Sequence, residues 1–130
     1  MTNATNPRTV TSVLAEVGTD TITVTWGLGK PGEASDIEFF GYGLCYYDPT
    51  GNGGKRLGVR FGEVVTAWIF DNASATQANY DASSVSVTDD AVVALFNDAS
   101  LGLGEVGTIL AYAHINGRDT QTDLPVTLLR

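Results

Sequence analysis

The chain has one cysteine, Cys45, and one histidine, His114. A single thiol cannot close an intrachain disulfide, so a disulfide scaffold is excluded and Cys45 is read as a buried structural thiol. One His without HxxE or CxxC spacing cannot build a typical metal site, and a Cys nucleophile has no His near it in the chain. His114 is read as a structural residue, and neither a metal nor a cofactor is expected. Basic side chains are also scarce. Seven Lys and Arg stand against 15 Asp and Glu, for a net charge of −8. A phosphate-binding surface needs clustered cations, so nucleic acid and anionic membranes are poor partners. Only Lys55, Arg56 and Arg60 lie close together, and they are read as the solvated face of one strand.

Long apolar runs are absent as well. None approaches the roughly 18 residues that span a bilayer, so membrane insertion is not expected. The first eight residues, Met1 to Arg8, are polar and carry no apolar stretch of a signal peptide. Asn3-Ala-Thr5 and Asn72-Ala-Ser74 match the glycosylation sequon. Without an export signal both are read as chance. There is no phosphate loop, no Gly-x-Gly-x-x-Gly and no Gly-x-Ser-x-Gly elbow. Ser100, His114 and Asp119 form a triad only on paper, and Asp89 and Asp90 read as a solvated turn. The expectation is a protein that is not an enzyme.

What is present is the composition of a β domain. Of 130 residues, 43% are hydrophobic and 17% charged, a balance that supports a folded core. Fifteen Gly supply turns, and Val, Thr and Ile recur along the chain. Residues 1–8 read as a flexible tail and 9–130 as one domain. Thr9–Val17 and Thr21–Trp26 read as a hairpin. Ile22, Val24 and Trp26 share one side of the second strand, and Thr21, Thr23 and Thr25 form a threonine-rich wet side. Leu28–Asp36 reads as a loop.

Glu38–Tyr47 is the most aromatic strand. Phe40, Tyr42, Leu44 and Tyr46 line one side; Phe39, Gly41, Gly43, Cys45 and Tyr47 line the other. Two glycines on one side predict a bulge or something packed over them. After the turn Asp48–Gly54, Leu57, Val59 and Phe61 alternate with Arg56, Gly58 and Arg60. Val64–Phe70 is almost wholly apolar and reads as a strand that is central or buried on both sides, with Trp68, like Trp26, a core residue. Asn72–Ser83 reads as a polar loop. Val85–Val87 and Ala91–Phe96 flank an Asp89-Asp90 turn, and Asn97–Val106 reads as holding one helical turn. In Thr108–Asn116, residues Ile109, Ala111, Ala113 and Ile115 share a side, and Asn116-Gly117 is a strong turn signal. Leu124–Leu129 closes the domain, with Pro125 placing it at an edge. The sum is an all-β fold: a single antiparallel β-sandwich of eight to nine strands, immunoglobulin-like or jelly-roll-like.

Two turns and loops carry candidate binding chemistry. Asp48-x-Thr50-x-Asn52-Gly53 has the opening spacing of a calcium loop, but Val59 stands where a bidentate acid belongs, so a plain turn is read there. Tyr47, Asp48, Gln77, Asn79 and Tyr80 combine rings for stacking on a sugar with amides and a carboxylate for its hydroxyls. They are the candidate ligand-binding residues.

The run Val85-Ser-Val-Thr-Asp-Asp-Ala-Val-Val-Ala-Leu-Phe96, then Ala99-Ser-Leu-Gly-Leu-Gly-Glu-Val-Gly-Thr-Ile-Leu-Ala-Tyr-Ala113, then Gly117 to Asp123-Leu-Pro125, resembles the C-terminal half of DOMON-like and family-9-type carbohydrate-binding sandwiches. Thr23-Val-Thr-Trp26, Gly41-Tyr42 and Ala111–Gly117 resemble, in turn, the Trp and Tyr strands and the penultimate strand of fibronectin type III domains. Both resemblances imply a sandwich, and the first implies a sugar ligand. The acidic domain without a signal or catalytic motif is expected to be an interaction or structural protein. A bacteriophage virion accessory, such as a capsid decoration or tail protein, fits best, with a protein partner that is itself or a larger assembly. A carbohydrate-binding module is the alternative. The expected location is the virion or the cell exterior, with the cytoplasm during synthesis.

Overall fold

The structure, a computed structural model, describes residues 7–18, 21–31, 36–47, 54–80, 82–97 and 108–129. Eleven strands follow one another: β1 (Arg8–Val17), β2 (Thr21–Pro31), β3 (Phe40–Tyr47), β4 (Gly54–Phe61), β5 (Val65–Asp71), β6 (Thr76–Tyr80), β7 (Val85–Val87), β8 (Ala91–Asn97), β9 (Thr108–Ile115), β10 (Arg118–Pro125) and β11 (Thr127–Leu129). A 3-10 turn, Ala82–Ser84, precedes β7. The strands form two packed sheets, in the orders β11-β1-β2-β8-β7 and β10-β9-β3-β4-β5-β6. Setting β11 and β6 aside, these strand orders correspond to the sheet layout of a variable-type immunoglobulin sandwich, with β4 and β5 in the places of its two extra strands. All pairings are antiparallel except β1 with β11, which is parallel.

Period-2 alternation builds the core. Ile22, Val24 and Trp26 on β2 are fully buried, as are Leu44, Val59 and Phe96 from β3, β4 and β8. The alternation of β3, β4 and β9 fills the same layer with Phe40, Tyr42, Leu57, Phe61, Ala111 and Ala113. Among the described residues no polar or charged residue is buried. The polar ends of the core aromatics find partners. Trp26 donates its indole N–H to the Gly43 carbonyl across the sandwich at 3.2 Å. The Tyr42 hydroxyl accepts from the Arg8 amide at 3.1 Å.

One end of the sandwich is closed by a side chain. β1 changes register against β2 on either side of the Val10–Leu28 pair. The Gln121 amide takes the place of a neighbouring peptide: Val10 N–H donates to Oε1 at 2.8 Å, and Nε2 donates to the Val10 carbonyl at 3.1 Å. Asn116 and Gly117, with φ of 52° and 79°, make the tight turn expected of Asn-Gly between β9 and β10. The Asn116 side chain also caps the start of β3, accepting from the Glu38 and Phe39 amides and donating to the Asp36 carbonyl.

Several expectations need correction. Arg8 opens β1 rather than ending a tail, with its guanidinium on the Gly29 and Asp89 carbonyls. β2 runs on to Pro31, into the segment read as a loop, because Arg8 and Val10 supply it with partners. Residues 76–80, read as loop, form strand β6 against β5. β10 is likewise a strand of its own, so the described residues form eleven strands where eight to nine were expected. β5 is not central: only β6 lies beyond it. Its inner residues Ala67 and Ile69 are buried, whereas Trp68 points outward and is half-buried, so Trp68 is not a core residue. Pro125 ends the edge strand β10, as its missing N–H requires. The helical turn expected within 97–106 and the calcium-like turn at 48–53 lie, apart from Asn97, outside the described residues.

Candidate functional site

Directly opposed residues of an antiparallel sheet share a face, so the strand registers define rows across the outside of the six-stranded sheet. The central row runs Tyr112, Gly43, Gly58, Trp68, Asn79 over β9, β3, β4, β5 and β6. On one side of it lies the row Leu110, Cys45, Arg56, Phe70, Gln77; on the other, His114, Gly41, Arg60 and Thr66. Asp119 of β10 stands opposite His114.

Two glycines at the centre leave room, and two aromatic rings take it. A Cβ on Gly58 would meet Cζ2 of Trp68 at 2.6 Å, and one on Gly43 would meet Cε1 of Tyr112 at 2.5 Å. Both rings therefore lie low against the sheet. Each is half-buried, covered by main chain beneath and open above. Packing over the glycines was one of the two outcomes their shared side predicted; β3 has no bulge. Arginines flank the rings. The Arg60 guanidinium sits 4.2 Å from the centre of the Phe39 ring, and that of Arg56 5.6 Å from Phe70. Such cation–π contacts contribute about 0.5–1 kcal/mol at exposed positions and hold the arginines in place. His114 continues the layer, stacked with Tyr112 at 6.2 Å and edge-on to Phe39 at 6.1 Å.

Burial shapes the titration of this face. Desolvation pushes the Tyr112 hydroxyl up to about 12, with Cys45 and Asp119 adding to the rise and Arg56 opposing it. Desolvation also raises the half-buried Cys45 thiol against the pull of Arg56, which keeps it protonated and unreactive at neutral pH. Cys45 lines a shallow cavity of about 260 Å³ with Tyr47, Arg56, Leu110, Tyr112 and Asp119. Burial lowers the pKa of His114 from its ordinary 6.5, Asp119 opposes that, and Arg60 adds to it. The His114 Nδ1 atom is buried and has no hydrogen-bond partner among the described residues.

The folded protein thus binds the His114 proton less readily than the unfolded chain. Stability is full above about pH 6.5 and falls as pH drops through the window from there down to the lowered folded value. The thermal midpoint is expected to decline from about pH 7.5 to about pH 5.5, and to decline less in His114→Gln. Equal slopes in scanning calorimetry of the two proteins would refute that assignment.

The four candidate ligand residues that the structure describes, Tyr47, Gln77, Asn79 and Tyr80, do not converge. Tyr47 is exposed at the end of β3, on this outer face. Gln77 and Asn79 are exposed on the same face of β6, with Gln77 Nε2 donating to Asn79 Oδ1 at 2.8 Å. Strands β4 and β5 stand between Tyr47 and β6, a separation of about 14 Å at the usual spacing. Tyr80 faces the other way: opposite Ala67, its ring meets the core residue Phe96 edge-on at 6.0 Å. A strand, unlike the loop expected there, sends Asn79 and Tyr80 to opposite sides. Asp48 lies outside the described residues.

What sequence reasoning missed are Trp68, assigned to the core, and Tyr112, not singled out. The signal was the glycine pair Gly43 and Gly58, each beside an aromatic in the neighbouring strand. Among the described residues no group of three or more His, Cys, Asp or Glu could hold a metal ion, and no helix is long and apolar enough to cross a membrane. Comparison with protein-family models, curated proteins and solved structures returns no match.

Proposed function

We propose that the protein is a non-catalytic interaction module, an accessory of a larger particle such as a bacteriophage virion, that docks through the outer face of its six-stranded sheet. The observation that carries this reading is the pair Trp68 and Tyr112 laid over Gly58 and Gly43. Trp, Tyr and Arg dominate the energy of protein contacts, and here all three types are grouped on one open face. The rings are already held against the main chain, so little side-chain freedom is lost on docking. Arg56 and Arg60 make this face a cationic spot on a chain of net charge −8, which orients it toward carboxylates and carbonyls of a partner. The tagged chain is expected to co-sediment with virions of the cells that encode it. Trp68→Ala and Tyr112→Ala are each expected to weaken that association at least tenfold. A wild-type chain that stays in the supernatant overturns the reading.

A second reading has its own support. Rings with one open side, next to the amides of Gln77 and Asn79, are suited to a carbohydrate chain lying across the sheet. Glycan-array binding by the wild type that disappears in Trp68→Ala would favour a carbohydrate-binding module instead.

A further inference from the structure

Sheet edges expose unpaired main-chain groups, and folded proteins block them with short strands, charges, prolines or bulges. Among the described residues three of the four edges are blocked. β7 and β11 have three residues each. β10 carries Arg118, Asp119, Asp123 and Pro125, changes register twice against β9, and gives its Gln121 side chain to Val10. β6 has none of these devices. Its five residues, Thr-Gln-Ala-Asn-Tyr, include no charge and no proline, pair with β5 in unbroken register, and are exposed from Thr76 to Asn79.

The direction of its free groups follows from one hydrogen bond. The Asn72 amide donates to the Gly54 carbonyl of β4 at 3.0 Å. Backbone groups of successive strand residues point to alternate sides, so Asp71, Ile69 and Ala67 turn theirs toward β6. Their partners Thr76, Ala78 and Tyr80 turn back toward β5. The N–H and C=O of Gln77 and of Asn79 therefore point out of the sheet.

We propose that β6 pairs with β6 of a second copy of this chain, antiparallel about a twofold axis through Ala78. In that register Gln77 faces Asn79 of the second copy, and the outward groups of each pair exchange both N–H···O bonds. Gln77 and Asn79 meet amide to amide on the outer face, with donors and acceptors on both sides and no charge. Ala78 meets its own copy on the axis, where a small side chain lets the strands approach. The charge argument selects this occupant: in a chain of net charge −8, β6 is a neutral and self-complementary strand. The six-stranded sheets of two copies then form one continuous sheet, and both Trp68–Tyr112 faces turn to the same side. Five residues make a small contact, so the dimer is expected to dissociate on dilution.

Sedimentation equilibrium of the intact chain tests the pairing. The wild-type mass is expected to rise with concentration from 13.7 kDa toward twice that value. Asn79→Pro removes an outward N–H and leaves the β5 ladder untouched, so it is expected to weaken pairing at least tenfold with an unchanged circular dichroism spectrum. Gln77→Lys/Asn79→Lys sets like charges opposite one another and is expected to be monomeric, as is Gln77→Glu/Asn79→Glu. Mixing the two is expected to restore a dimer. A wild type that stays monomeric at every concentration, a dimer that survives Asn79→Pro, or a mixture that stays monomeric would each overturn the proposal.

Discussion

Trp26→Ala is expected to lower stability by about 3–5 kcal/mol, seen as a large fall in the urea midpoint with an unchanged slope. Trp26 is the largest fully buried side chain. It touches both sheets: it belongs to β2, its ring lies 6.4 Å from that of Tyr42, and its N–H reaches the Gly43 carbonyl of β3. Removing the ring leaves a cavity that strands of two different sheets would have to close together. A small domain has only about 5–15 kcal/mol in total, so this one change takes a large share. Trp26→Phe keeps most of the packing but not the hydrogen bond, and is expected to lose less. Trp68→Ala is the control. That ring covers one glycine on the outer face, so its loss opens no internal cavity, and the stability change is expected to be far smaller.

Gly41→Ala is expected to destabilise by up to about 3 kcal/mol, the upper part of the usual range for overpacking. The new Cβ would run into the Val59 carbonyl as well as His114 Nε2, the latter at 2.6 Å. A main-chain carbonyl inside the β3–β4 ladder cannot step aside without breaking pairing. Gly43→Ala offers the contrast. There the three atoms nearest the new methyl all belong to the far end of the Tyr112 side chain, with no main-chain atom among them. The fold is expected to survive while the ring lifts. The hydroxyl of Tyr112, held up at about 12 chiefly by burial, is then expected to ionise nearer its ordinary 10. Ultraviolet titration of tyrosinate in wild type and Gly43→Ala reads this directly, and an unchanged titration would show that the ring does not rest on Gly43.

The core was legible wherever alternation was strict. Ile22, Val24, Trp26 and Phe40, Tyr42, Leu44 are buried as their spacing predicts, because a pleated strand with one wet side leaves no other choice. Trp68 was misread because Val64–Phe70 is apolar on both sides, and periodicity cannot then say which side faces inward. Register decides it: Ala67 pairs with Val59, and Trp68 with Gly58. β6 escaped notice because Thr-Gln-Ala-Asn-Tyr has the polarity of a loop; the β5 ladder, not its own propensity, makes it a strand. The platform was half legible. Glycines on one side of β3 announced that something packs over them, but the ring that does so comes from β9, far along the chain.

The parallel pairing of β11 with β1 also governs how the domain bears load. Leu14, Ala15 and Glu16 pair with Thr127, Leu128 and Leu129 in step, so the chain enters β1 at one end of this pair and leaves β11 at the other. Force applied through the two ends of the chain would slide the strands along each other. Their hydrogen bonds would then resist together, in shear, rather than opening one after another like a zipper. A module fixed at one end and pulled at the other would hold its fold at the seam where its first and last strands meet.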